Sequence, residues 1–179
     1  MKRFLTSLAL IGLIALPAHA ALTIGAKAPD FSARASIGGT QFDFKLSDAL
    51  AKGPVVLYFY PAAFTPGCTI EANEFANATD HLATMNATVI GVSGDTIETL
   101  DRFSLSECRS KFAVAADPQT TVMRSYDVQN PAREGRALRV SFVIAPDGTI
   151  LLSHADNDPV RHVQMATQAV EQWYAAQPR

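Results

Sequence analysis

At 179 residues, 48% of them hydrophobic, the chain has the length of one domain with enough apolar side chains for a full core. A formal charge of −2 argues against nucleic acid or an anionic membrane as partner, since both call for a basic surface. With only two cysteines, Cys68 and Cys108, it is not a small scaffold held together by disulfides.

The first twenty residues read as a leader rather than as part of the fold. Lys2 and Arg3 form a basic start, Phe4 to Pro17 a mostly apolar stretch, and Ala18-His19-Ala20 a small-x-small cleavage site. The stretch is too short and wrongly flanked for a membrane anchor. The expectation is a signal peptide over 1–20, a single domain over 21–179, and a periplasmic or secreted destination. Removing Lys2 and Arg3 takes the formal charge from −2 to −4.

From Ala21 to Leu46 the paired Gly38-Gly39 and the alternating Phe42-Asp43-Phe44 predict a loop and then a short edge hairpin. Leu46 to Leu50 fits a single helical turn. Val55 to Tyr60 is an unbroken aliphatic and aromatic run, the pattern of a strand buried on both faces. It stops at Pro61, and Pro66 and Gly67 punctuate the connection that follows. A helical period then sets in, with Ile70, Phe75, Leu82 and Met85 expected near one buried face. Ala87 to Ser93 predicts a second buried strand, and Thr96 to Arg109 a helix carrying Ile97, Leu100, Ser104 and Cys108 on one side. Phe112 to Ala116 is a short strand, Thr121 to Tyr126 a brief helix, and Pro131 to Ala137 a polar loop with Arg133 and Arg136. Arg139 to Ile144 and Thr149 to Ser153 form a hairpin about Pro146-Asp147-Gly148. Asp158 caps a last helix with Pro159 at its first position. The order describes an α/β fold, a mixed sheet with helices on both faces.

Cys68 falls at the first turn of the helix that leaves the carboxyl end of the Val55 strand. Unpaired backbone N–H groups and the positive end of the helix dipole meet there, and both favour a thiolate, which is the nucleophilic form of cysteine. His81, His154 and His162 lack metal-ligand spacing. No phosphate-cradling or dinucleotide glycine motif is present, so no cofactor is expected.

Pro61-Ala-Ala-Phe-Thr65-Pro-Gly-Cys68 resembles the Pro-x-x-x-Thr-x-x-Cys signature of peroxiredoxins. The continuation to Ala72 is similar to the bacterioferritin-comigratory (PrxQ-type) branch, and Arg139-Val-Ser-Phe-Val-Ile resembles the family's active-site arginine segment. The resemblance runs from about Gly25 to the C-terminus. It implies a thioredoxin-like fold with an N-terminal hairpin extension, and a peroxidase in which Cys68 attacks a peroxide and becomes a sulfenic acid. Thr65 would place a hydroxyl at thiolate and peroxide, Arg139 a fixed positive charge, and Pro61 a wall against water. Glu71 reads equally as a partner for an arginine or as an ordinary first-turn carboxylate. The substrates implied are hydrogen peroxide and small organic hydroperoxides, the reductant is a thioredoxin-like dithiol, and a monomer is expected.

The second cysteine departs from the pattern. Many PrxQ-type chains carry a resolving cysteine five residues after the first, where this chain has Asn73; others carry it on the next helix, at a position that corresponds to Ser104. Cys108, one helical turn further, remains the candidate partner of Cys68 in the chain, and its alternative is a small apolar filler. Joining the two would require a helix end to unwind, because a disulfide spans only about 4.4–6.8 Å between Cα atoms. Two other functions stay open. A thioredoxin-like disulfide exchanger is disfavoured by Thr65 in place of a first cysteine, and by Arg139-Val140 where thioredoxins place a cis-proline. A non-catalytic exported domain would use Cys68 and Cys108 as a structural disulfide. Peroxide consumption that depends on Cys68 separates the three.

Overall fold

The computed structural model describes residues 21–178; the expected signal peptide lies outside them. Seven strands form one mixed sheet: β1 (Ser32–Ile37), β2 (Thr40–Lys45), β3 (Val55–Phe59), β4 (Thr88–Ser93), β5 (Ala113–Ala116), β6 (Val140–Ile144) and β7 (Ile150–Ala155), in the order β2-β1-β5-β4-β3-β6-β7. β3 runs parallel to β4 and antiparallel to β6. The N-terminal hairpin is joined to the body by β1 pairing antiparallel with β5, so it extends the sheet and leaves β2 at the edge.

Successive side chains of a strand point to opposite faces, and β3 divides its apolar run accordingly. Val55, Leu57 and Phe59 enter one core layer with Phe142, Met123 and Tyr126. Val56, Tyr58 and the following Tyr60 enter the other, with Phe75, Phe103, Val163 and both cysteines. The first layer lies under α1 (Leu46–Leu50) and α4 (Thr121–Ser125); the second lies under α2 (Pro66–Ala83), α3 (Ile97–Ser106) and α5 (Pro159–Ala175). Tyr58 pairs with Gly91 across β3 and β4. A Cβ on Gly91 would come 2.7 Å from the tyrosine ring, so the large residue fits only because its neighbour has no side chain.

Two expectations need correction. Ile70 is 47% exposed; the buried arc of α2 runs through Cys68, Glu71, Ala72, Phe75, Ala76 and Leu82, and Ile70 lies off it. The helix after β4 ends at Ser106, so Cys108 sits in the turn beyond it rather than on the helix. The Cys108 N–H bonds back to the Phe103 carbonyl (3.1 Å) and the Ser110 N–H to the Ser104 carbonyl (2.9 Å). Arg109 and Ser110 both take left-handed backbone (φ 49 and 57), which ends the helix as a glycine often does.

Candidate active site

β3 is followed by a loop that ends in Thr65, the extended N-cap residue of α2. Pro66 at the first helical position has no N–H to lose and its φ suits a helix start. Cys68 is therefore the third residue of the helix, where amide N–H groups lack partners within the helical ladder. Its side chain is 1% exposed and its thiol is free. Phe64 takes a left-handed φ of 62 and rests edge-on against Phe103. The Thr65 hydroxyl donates to the Ala62 carbonyl at 2.9 Å, so the structure turns it into the loop and no bond joins it to Cys68.

Arg139, just before β6, reaches the sulfur from the neighbouring strand: its Nη2 lies 3.4 Å from Cys68 Sγ. Its Nη1 donates to Glu71 Oε2, and the Glu71 side chain is wholly buried one turn into α2. Glu71 is thus an arginine partner, not an exposed first-turn carboxylate. Gly67 matters to this contact, because a Cβ there would sit 2.9 Å from the same Nη2. Burial works against the charge on Arg139, but Glu71 and Cys68 beside it hold its pKa up. Burial pushes the Glu71 carboxyl up to about 8 against the pull of Arg139. These two effects oppose each other, since a protonated Glu71 gives the guanidinium no charge. The upward direction for Glu71 follows from geometry: its Oε1 has no hydrogen-bond partner among the described residues.

Pro61 is half-buried in the loop, and its carbonyl accepts from Arg136 at 3.3 Å. Asp95, after β4, fastens the same loop. One of its oxygens accepts from the Ala63 N–H (2.7 Å) and the Ser93 hydroxyl (2.9 Å), the other from Arg136 (3.0 Å). The sequence marks Arg136 only as part of a polar loop and singles out nothing at Asp95. No local pattern marks this contact, which joins three segments far apart in the chain.

Cys108 is fully buried in the layer that holds Cys68. Burial, with Glu107 adding, pushes its thiol pKa far up, so it is unreactive where it sits. Its turn is tied to the outer side of α2: Asn73 donates to Glu107 (3.3 Å), Arg109 donates to the Asn73 carbonyl (2.9 Å), and Lys111 pairs with Asp80 (2.8 Å). Between the sheet and these helices stand Tyr58 and Tyr60. Their hydroxyls have no hydrogen-bond partner among the described residues, and their pKa values are raised first by burial and then by the Cys108 sulfur.

Residues 24–153 match the AhpC/TSA family. The chain is 32% identical to the peroxiredoxin Bcp of Bacillus subtilis over 155 residues, covering 84% of this chain and 96% of that protein. The chain belongs to the AhpC/TSA family, as a Bcp-type peroxiredoxin. It is also 32% identical over 140 residues to a chloroplast 2-Cys peroxiredoxin of Hordeum vulgare, covering 75% of this chain and 66% of that longer protein. The crystal structure of peroxidoxin BcpB from Mycobacterium tuberculosis superposes with a TM-score of 0.77 at 30% identity, over 87% of this chain and 98% of that one. The fold of this peroxiredoxin is therefore the thioredoxin-like fold of its family, and its activity is that of a thiol-dependent peroxidase.

Proposed function

We propose that Cys68 is the peroxidatic thiol, with Arg139, Thr65 and Pro61 forming its pocket, and that Cys108 resolves it. The observation that carries this is the Arg139 guanidinium 3.4 Å from a sulfur held at a helix start. The Cys68 thiolate attacks one oxygen of the peroxide; an S–O bond forms, the O–O bond breaks, and the leaving oxygen takes a proton to become water or an alcohol. The sulfur, oxidised by two electrons, is now a sulfenic acid. The charge that gathers on the departing oxygen faces Arg139. Cys108 then attacks the Cys68 sulfur, an S–S bond forms, and the hydroxyl leaves as water. A thioredoxin-like dithiol returns both thiols and is itself oxidised to a disulfide. The substrates are hydrogen peroxide and small organic hydroperoxides.

Both cysteines belong to one core layer of one chain, which favours an intramolecular disulfide and a monomer as the working unit. The basic, apolar and small-x-small order of residues 1–20 supports an exported protein acting in the periplasm or outside the cell.

The test is peroxide consumption with excess dithiol for Cys68→Ser, Cys108→Ser and Arg139→Lys. Cys68→Ser is expected to be inactive, and turnover in that variant removes the assignment. Cys108→Ser should still form the sulfenic acid but yield no intramolecular disulfide on mass analysis. Arg139→Lys should slow the first step, because an ammonium lacks the planar pair of donors that spans sulfur and carboxylate.

A further inference from the structure

Behind Arg139 the site continues into the core. The second oxygen of Glu71, Oε1, faces His162 of α5, whose Nδ1 lies 3.8 Å away, and both side chains are wholly buried. His162 is fixed at both ring nitrogens. The Ser141 hydroxyl of β6 lies 2.8 Å from Nδ1, and the Asp156 carbonyl lies 2.9 Å from Nε2. A carbonyl only accepts, so Nε2 carries the hydrogen, and in a neutral ring Nδ1 presents its lone pair to the Ser141 hydroxyl. That lone pair repels an ionised Oε1 that has no other partner among the described residues. The contact is favourable only with a proton on one of the two groups.

The groups around the pair decide which one holds it. Arg139 faces Glu71 from the start of β6, Cys68 lies one turn before it on α2, and Tyr58 approaches from β3. His154 of β7 sets its ring 4.8 Å from that of His162, and Asp156, near Arg161, stands in front of α5. Burial, with His154 and Arg139 adding, pushes His162 down to about 4, while burial pushes Glu71 up to about 8. Near neutrality the proton is on Glu71.

We propose that His162 is a positioning residue of the peroxidase site: anchored by Ser141 and Asp156, it sets its Nδ1 lone pair opposite the far oxygen of Glu71 and so keeps that carboxyl protonated, and the charge of Arg139 is directed at the Cys68 sulfur. An ionised Glu71 competes with the sulfur for the same guanidinium. With the carboxyl neutral, the guanidinium serves the thiolate and the oxygen leaving the peroxide. The inference rests on Cys68 and Arg139 as the reacting sulfur and its cation.

The experiment follows oxidation of the reduced full chain by hydrogen peroxide between about pH 6 and 9.5, quenched and read by mass analysis at Cys68, for His162→Phe, His162→Asn, Glu71→Gln and His162→Phe/Glu71→Gln. The wild-type rate is expected to carry a falling limb near pH 8, where Glu71 ionises. His162→Phe should lower the rate roughly tenfold, as loss of a residue orienting a functional group commonly does, and displace that limb. His162→Asn, whose amide oxygen again sets a lone pair opposite Oε1, should recover most of the rate. Glu71→Gln should abolish the limb, and His162→Phe should then cost nothing further. A His162→Phe variant with wild-type rate and limb overturns the proposal, and so does a loss that persists undiminished beside Glu71→Gln. Should His162→Phe fail to fold by circular dichroism, Ser141→Ala, which removes the Nδ1 anchor, takes its place under the same criteria. Cys68→Ser run in parallel separates the readings: turnover there defeats the site itself, whereas inactivity there with unaltered His162 variants defeats only this inference.

Discussion

Two forces act on the Cys68 sulfur, and they differ in size. A helix N-terminus favours a nearby negative charge by about 0.5–1 kcal/mol. A full charge at about 4 Å contributes on the order of 4 kcal/mol in a partly screened site, before the cost of desolvation. Arg139 therefore exerts the stronger pull, and whatever governs its freedom governs the site. Glu71 is the first such residue, and its burial has a consequence for stability. Its folded pKa, about 8, lies above its ordinary 4.5, so the folded chain holds a proton that the unfolded chain releases, and stability falls as pH rises between those values. His162 works in the other direction: pushed down to about 4 from 6.5, it costs stability as pH falls through that window. Above about pH 6.5 Glu71 is the member of this pair that contributes, and the wild type should lose stability between pH 6.5 and 8. Urea unfolding of the reduced protein at the two pH values checks this. Glu71→Gln should flatten the dependence, and an unchanged slope in that variant contradicts the assignment.

At the scale of elements, the proposed cycle makes the turn Glu107–Lys111 the feature that decides when Cys108 becomes available. Four polar ties bind it to α2 (Asn73–Glu107, Arg109 to Asn73 and to Asn77, and Lys111–Asp80), and two successive non-glycine residues in left-handed backbone shape it, at about 1–2 kcal/mol each. Arg109→Ala leaves the backbone preference alone and removes the exposed ties to Asn73 and Asn77. Losing about 1 kcal/mol of hydrogen bonding should open the turn about fivefold more often. The rate of disulfide closure after a single addition of peroxide should rise by a similar factor; an unaltered rate would show that the turn is not the gate. The same region marks where the sequence stops being legible. β3, α1 and the start of α2 follow from a continuous apolar run, Pro61, Pro66 and Gly67, signals that act locally. The end of α3 carries no glycine or proline, only Arg109 and Ser110 adopting a conformation their types rarely take, so the helix reads as continuing through Cys108. Ile70 misleads because apolar identity alone does not fix which arc of a helix faces inward. The proximity of Arg139 to Cys68 is implied by family motifs, but Glu71–His162–Ser141 and Asp95–Arg136 arise only when separate elements pack together.

For the molecule as a whole, the sheet sorts chemistry to one side. Both cysteines, Tyr58, Tyr60, Glu71 and His162 lie on the α2–α3–α5 face, while the layer under α1 and α4 is mainly apolar, its buried polar groups being the hydroxyl of Tyr126 and, at the start of α4, Asp117 and Thr120. Catalysis on that face has to proceed without dissolving the core it shares. In the proposed cycle the buried, laced position of Cys108 sets a clock. Until its turn opens, the sulfenic acid at Cys68 stands alone, and a second peroxide can add another oxygen to give a sulfinic acid that dithiols do not reduce. The enzyme's lifetime under a burst of oxidant becomes a race between local opening and a second collision, which peroxide concentration biases and total stability does not. At rising peroxide with excess dithiol, Cys68 should accumulate two oxygens per sulfur, more readily in Cys108→Ser than in the wild type and less readily in Arg109→Ala. Equal accumulation in all three would mean that the core door plays no part in how the enzyme dies.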